Sequence, residues 1–376
     1  MRRPLKNNRG VALLITVTIT TIIVAATLEM NRKVRISVTA TATTRDRFTL
    51  SYMAAAGVTI AMAMLIKDKK SDPRSGLDSI QEDWADPEKI SEVLQDIPFE
   101  EGSVTFAITD ELGKIQMNAL LDKYPVKTDD KIQQRFNASQ HKIWDNLLRP
   151  IVSLDEKREL NATTNIINSL KDWLDSGDDD MITGLNGAES DYYQSLTPPY
   201  SCRNGPIPHP DELMMVKGIT PDLFDGNEEI PDISKYLTVY GLPERKPNSR
   251  KRTFTYEGKI NINTADLPVL TAIVPTENAE YAQAIYDYRG ETTEDSGSGK
   301  HFVNDVSRPT WYKNAPGIPG DFKIDPKIIT IKSDIFRIAS TATLHEIKLT
   351  VTAVVQRVKN KKTGKWKCEI LRWQTG

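Results

Sequence analysis

Apolar positions dominate the chain first and most densely near its start. Val11 to Leu28 contains no charge, proline or glycine. About eighteen residues at roughly 1.5 Å rise make ~27 Å of helix, close to a ~30 Å hydrocarbon core. Five threonines dilute the run, so it predicts a modest membrane-spanning helix over about 11–30. The helix has no reason to stop there, because no proline or glycine follows until Gly57. Val34, Val38, Thr41, Phe48, Tyr52, Ala55, Met62 and Ile66 recur at helical steps along one face. One continuous helix is expected over 11–66, membranous in its first part and packed against neighbours in its second.

Beyond it the period changes. Residues 67–98 are polar and punctuated by Pro73, Gly76 and Pro87. Val104, Phe106 and Ile108 then alternate, a turn is expected at Asp110 to Gly113, and Ile115 and Met117 resume the alternation, which predicts a hairpin over 102–120. Three further strand-like runs close the chain, at 334–344, 346–358 and 365–373, the last two joined by a turn-rich 359–364. Between lie some two hundred residues of different character. Runs at 141–152, 165–175, 210–218 and 265–275 show helical spacing, with Asp211 as a cap and Gly218 as a terminator. The expected fold class is α+β: a long N-terminal helix backed by an antiparallel sheet, with a large helical domain inserted. The expected boundaries are 1–10 for a leader, 11–66 for the helix, and 67–120 for the first part of the head. The insert follows over 121–333 and the C-terminal strands over 334–376.

Charge gives the first segment a direction. Arg2, Arg3, Lys6 and Arg9 precede it with no acid, so that end stays cytoplasmic and the bulk of the chain lies outside. A cleaved secretory signal would read similarly, with a small-residue site at Val24-Ala25-Ala26 and Thr27 as the new terminus. Against it stand the length of the run and its abrupt start at Gly10-Val11. A short basic leader, a glycine followed by an apolar residue, and a long helix with a membranous first part resemble the type IV prepilin-like family. The resemblance implies cleavage after Gly10 by a prepilin peptidase and methylation of the new amine on Val11. Most members carry glutamate at the fifth mature position, where this chain has Ile15. In a filament that carboxylate is thought to neutralise the terminus of the adjacent subunit. Without such a neighbour it would cost at least a few kcal/mol in the membrane, so its loss favours a tip subunit.

The middle of the chain narrows the resemblance. The acidic stretch from Asp172 through Ile207, "DELMMVKGI" at 211–219, "KININTADLPVL" at 259–270 and "AIYDYR" at 284–289 resemble, in order, the minor pseudopilin K family of type II secretion. That likeness implies an inner-membrane, single-pass protein with a periplasmic bulk, placed at the tip of the pseudopilus. Its implied work is to start assembly with the I- and J-type minor pseudopilins, above the major pseudopilin, and to limit filament length.

Asp172 to Asp191 holds seven carboxylates around Gly177, Gly184 and Gly187. An arbitrary acidic run is a solvated loop. Here Trp173 and Leu174 anchor one end and Tyr192, Tyr193 and Pro198-Pro199 the other, so the carboxylates repel unless a cation intervenes. Hard oxygen ligands suit calcium, and no histidine or cysteine arrangement suggests zinc. The spacing is not that of an EF-hand, since Ile182 and Thr183 fall where a ligand and glycine are needed. The K family binds calcium in this domain through a motif that Asp172, Trp173, Asp175, Gly187, Ala188 and Glu189 match, with Gly177 replacing its last aspartate. The resemblance implies a structural calcium held by Asp175, Asp178 and Glu189, with Asp180 and Asn204 as further ligands.

The remaining chemistry excludes more than it offers. A net charge of −2 with 27% charged residues leaves no basic stripe for nucleic acid beyond the local run Lys359 to Lys367. Residues 259–289 also resemble the helix-hairpin-helix of membrane-anchored DNA receptors, the alternative reading. That module uses a glycine hairpin to present N–H groups to phosphate, and this chain has Val274-Pro275-Thr276-Glu277 instead. Asn261 and Asn263 read as turn and cap residues. No histidine, phosphate-loop or nucleophile constellation marks an enzyme. Cys202 and Cys368 are the two cysteines. In an oxidising compartment they could pair, and in a reducing one they would be packing residues.

Overall fold

The computed structural model describes residues 9–71, 76–97, 99–126, 132–155, 159, 161–177, 182–241, 243–244, 253–295 and 299–376. Helix α1 runs unbroken from Arg9 to Ser71, one turn further than the apolar pattern predicts. Its first half is exposed throughout, Val11, Leu14, Ile22, Leu28 and Val38 included. The threonines that dilute this segment carry their polarity inward. Thr16, Thr18, Thr20, Thr21 and Thr27 each donate to a carbonyl three or four residues back, so these hydroxyls are satisfied within the helix.

From Leu50 onward the same helix packs on a sheet. Strands β1 (Ser103–Asp110), β2 (Ile335–Leu344), β3 (Ile347–Lys359) and β4 (Trp366–Thr375) lie in that order, each antiparallel to its neighbour. Leu50, Ala54, Val58 and Leu65 of α1 form one core with Val104, Phe106, Ile108, Phe336, Ile338, Val351 and Val355. Helix α2 (Pro87–Gln95), capped by Asp86, closes it through Ile90. Gly57 makes the closest approach. A Cβ there would lie 2.2 Å from Ser340 Oγ and 2.7 Å from Val104 Cγ1.

The hairpin expected over 102–120 does not form. β1 pairs with β2, more than two hundred residues downstream, and the chain turns away at Asp110 rather than folding back. Ile115–Gln116 instead pairs in parallel with Leu237–Thr238, and Met117–Leu120 is a 3-10 turn. The alternation was real, but Ile115, Met117 and Leu120 belong to a second core. That core is the insert: α3 (Ala138–Val152), α4 (Ala162–Leu174), α5 (Ser190–Gln194), α6 (Pro221–Phe224), α7 (Leu267–Ile273) and α8 (Tyr281–Gly290).

A buried polar seam joins the two cores. Asp110 ends β1 and accepts hydrogen bonds from Leu112 N (2.7 Å), Asn261 Nδ2 (2.8 Å), Thr264 Oγ1 (2.7 Å) and Ser333 Oγ. Burial nonetheless pushes its carboxyl up to about 6. Asn261 and Asn263 do turn the chain, with Asn263 N donating to Asn261 Oδ1. They also weld the insert to the head, which spacing alone does not reveal. One layer away, buried Arg357 of β3 reaches Asp78, Asp68 and the Leu65 carbonyl, and Lys69 lies 3.1 Å from Asp78. β3 is thereby tied to the end of α1.

Candidate functional site

The acidic loop begins at the last turn of α4. Ile166, Ile167, Leu170, Trp173 and Leu174 turn one face of that helix into the core, and Asp172 lies fully buried among them. Its carboxylate accepts from Thr183 N (3.1 Å) and Ala188 N (2.9 Å), so the loop folds back around it. Burial raises its pKa, and the hydrogen bonds from Thr183 oppose the rise. Gly187 makes the wrap feasible, since a Cβ would stand 2.1 Å from Asp172 Oδ2 and 2.7 Å from Thr183 O. The aromatic anchors of the two ends meet. Trp173 packs edge-on to Tyr193 (4.9 Å between centroids) and Tyr193 stacks on Tyr200 (5.4 Å), while Trp173 Nε1 donates to Glu212 (3.0 Å).

Three of the expected ligands lie among the described residues. Asp175 caps the C-terminus of α4, accepts from Gly177 N, and pairs with Lys171 at 2.7 Å. Glu189 is buried at the start of α5. The 202–205 segment is tied to α5 and to α4, through Cys202 N to Ser190 Oγ (3.2 Å) and Gly205 N to Trp173 O (3.5 Å). Asn204 in that segment has φ 53°, and its Oδ1 is buried with no hydrogen-bond partner among the described residues. Asp178 and Asp180 lie outside the described residues. Lys171 was not anticipated, and Asp172, which the motif match included, was not expected to be buried as the pivot of the loop. A lone acid on the apolar face of α4 is the signal that could have singled out Asp172.

An acceptor buried without a donor fits a cation-binding site better than a solvated loop does. The described carboxylates alone do not make one. Among the described residues, the three acids whose oxygens converge are Asp68, Asp78 and Glu82 in the head, where Arg357 and Lys69 already supply the positive charge.

Two other expectations meet the structure here. Cys202 and Cys368 are not joined, because they sit in different cores. Cys202 Sγ lies 3.5 Å from Asp172 O, and Cys368 Sγ lies 3.8 Å from Met62 O on α1. Burial raises the Cys368 thiol to about 11. The turn between α7 and α8 is occupied from within: Asn146 of α3 donates to Ala272 O (3.1 Å) and Thr276 Oγ1 donates to Asn146 Oδ1 (2.9 Å). Gly10, Val11 and Ile15 lie in the first two turns of α1, all exposed.

Comparison with known proteins finds the same likeness in part of the chain. The family model described as type II secretion system (T2SS), protein K matches residues 113–239. Type II secretion system protein K of Aeromonas hydrophila is 25% identical over 177 residues, which is 46% of this chain and 47% of the relative. A putative type II secretion system protein K of Escherichia coli (strain K12) is 27% identical over 168 residues, 44% of each. The aligned region thus spans about half the length of these curated relatives. The crystal structure of the GspK-GspI-GspJ complex from the enterotoxigenic Escherichia coli type 2 secretion system contains a chain of the same fold. Its TM-score is 0.58 at 19% identity, covering 89% of this chain and 99% of that one. The residues matched by the family model include the acidic loop and the 211–219 motif, and the α+β fold is shared with that solved chain.

Proposed function

We propose that this chain is the tip subunit of a type II secretion pseudopilus. It is anchored in the inner membrane by residues 11–30, faces the periplasm, and assembles with I- and J-type minor pseudopilins above the major pseudopilin. The observation that carries this reading is a protein K domain mounted on a head whose helix leaves its apolar half uncovered. The most apolar window of α1 is 0% buried, so lipid and neighbouring helices are what it lacks. Ile15 spares the segment a carboxylate that would need a neighbour's amine, which suits a subunit with nothing above it. The work is architectural rather than catalytic: it starts the filament and limits its length.

Asp175, Asp178, Asp180, Glu189 and Asn204 would hold a calcium ion in the loop after α4. The ion would supply a double positive charge among carboxylates that otherwise repel. Asp172, committed to backbone N–H groups, shapes the loop and is not a ligand.

The decisive measurement is the mature N-terminus. Val11 bearing a methylated amine is expected, and replacing Gly10 with a bulkier residue should leave the leader attached. A terminus at Thr27 would mean ordinary secretion, and an intact leader would mean a plain anchor.

A further inference from the structure

Strand β4 is an open edge. It lies at the end of the sheet, and no described strand pairs with its outer side. Thr350 and Gly376 exchange both backbone hydrogen bonds, at 3.2 and 2.9 Å. By antiparallel alternation, the N–H and C=O groups of Thr375 and Trp373 therefore point outward, away from β3. Natural sheets usually blunt such an edge or cover it. This one carries Lys365, Lys367 and a bulge at Leu371, yet still presents Ile370, Leu371 and Trp373 at 49%, 44% and 43% exposure. Ile370 pairs with Val355 and Trp373 with Ala353, so both project on the face that carries α1.

The approach to this edge is basic. Lys359, Lys361, Lys362, Lys365 and Lys367 are exposed around the β3–β4 hairpin, with Glu369 as the acid among them. The hairpin is a built structure. Asn360 Oδ1 accepts from Lys362 N (2.9 Å) and Thr363 N (3.1 Å), and Lys359 lies over the Trp366 ring at 5.6 Å. Lys67 and Lys70 are exposed near the end of α1, the end that Arg357 of β3 grips. That end lies about 35 residues past Met30, roughly 50 Å of helix. Phospholipid of the anchoring membrane is out of reach across several Debye lengths of ~8 Å. Charge and edge together specify an occupant.

We propose that β4 accepts an extended, acidic segment of another protein as a fifth strand. The hairpin lysines would pair with its carboxylates, while Ile370, Leu371 and Trp373 would take its alternating apolar side chains. The inference goes beyond the tip assignment and does not use the calcium loop or the leader.

The test uses the full chain in neutral detergent micelles and three labelled ten-residue probes. These are an alternating Glu/Val peptide, its Lys/Val counterpart, and the Glu/Val peptide with two central prolines, which cannot complete a ladder. Fluorescence polarisation should show the Glu/Val probe binding at least tenfold tighter than either control, with affinity falling as salt rises. Hydrogen exchange at the Trp373 and Thr375 amides should slow in its presence. Trp373→Ala should weaken binding about tenfold. The double variant Lys365→Glu/Lys367→Glu should reverse the preference toward the Lys/Val probe, with the melting temperature of the chain unchanged. Equal binding of the proline-broken probe would show charge attraction without strand addition and overturn the proposal. So would binding that leaves the β4 amides unprotected, or no binding of the Glu/Val probe.

Discussion

Glu82 shows how much a single side chain answers to its neighbours. Its Oε2 accepts from Trp84 Nε1 (2.8 Å) and Ser79 N (3.0 Å). Burial first, then the charge of Asp68, pushes its carboxyl up to about 7. Asp68 is raised as well, mainly by burial, with Lys69 and Arg357 opposing. A raised carboxyl pKa means the folded state holds its proton more tightly than the unfolded chain. The stability it lends is complete below about 4.5 and is lost as pH rises through about 7. Glu82→Gln keeps both accepted bonds and offers Asp68 a permanent donor. It should flatten that decline, on the order of 2 kcal/mol, and leave the variant more stable than the parent at pH 8. Melting curves at pH 5 and pH 8 decide it, and a variant with the parent's slope would remove Glu82 as the source. Gly187 makes a second case. A methyl there meets the Asp172 carboxylate and the Thr183 carbonyl, so Gly187→Ala should cost about 1–3 kcal/mol and open the 183–188 backbone to protease.

At the scale of elements, α1 was legible and the hairpin was not, and the reasons differ. A helix satisfies its backbone within a few residues, so an unbroken apolar run announces it. A strand needs a partner, and alternation says which face is buried without saying against what. β1 therefore looked like half of a local hairpin, while its true partner β2 lay across the insert. The three C-terminal strands were readable because their turns are local. Gly57 belongs to the same lesson. In an exposed helix Gly→Ala gains about 1 kcal/mol. At Gly57 the methyl would strike Ser340 and Val104, so the substitution should instead destabilise by about 1–3 kcal/mol. Gly290 ends α8, and a methyl added there would meet nothing within 4 Å, so Gly290→Ala should be neutral or mildly stabilising. Thermal melts of the two side by side test helix-to-sheet contact against intrinsic propensity.

For the whole molecule the acidic loop is a joint rather than an appendage. Ser176 donates to Gln134 through N and Oγ (2.8 and 2.7 Å), Lys217 reaches the Asn186 carbonyl (3.3 Å), and 202–205 leans on α4. Ordering that loop therefore orders much of the insert. With calcium at about 100 times its dissociation constant, the folded state should gain roughly 2.7 kcal/mol. Chelator should lower the melting temperature and expose the Trp173 region to protease, and Asp175→Ala or Glu189→Ala should abolish the response. Magnesium, with its tighter octahedral shell, should rescue poorly. Identical melts in chelator and in millimolar calcium would return the loop to an ordinary acidic turn and leave the fold as it is.

What the sequence determined alone was whatever local physics settles: one long helix with an apolar first half, helical runs between two β segments, and motifs that resemble the protein K family. Tertiary structure decided the rest. It placed Cys202 and Cys368 in separate cores, made Asp172 the pivot of the loop, and turned Asn261 and Asn263 into a weld between head and insert. It also left β4 as an edge. Those outcomes depend on which distant segments meet. Burial, hydrogen-bond satisfaction and charge pairing are properties of the meeting, and neither segment encodes them by itself.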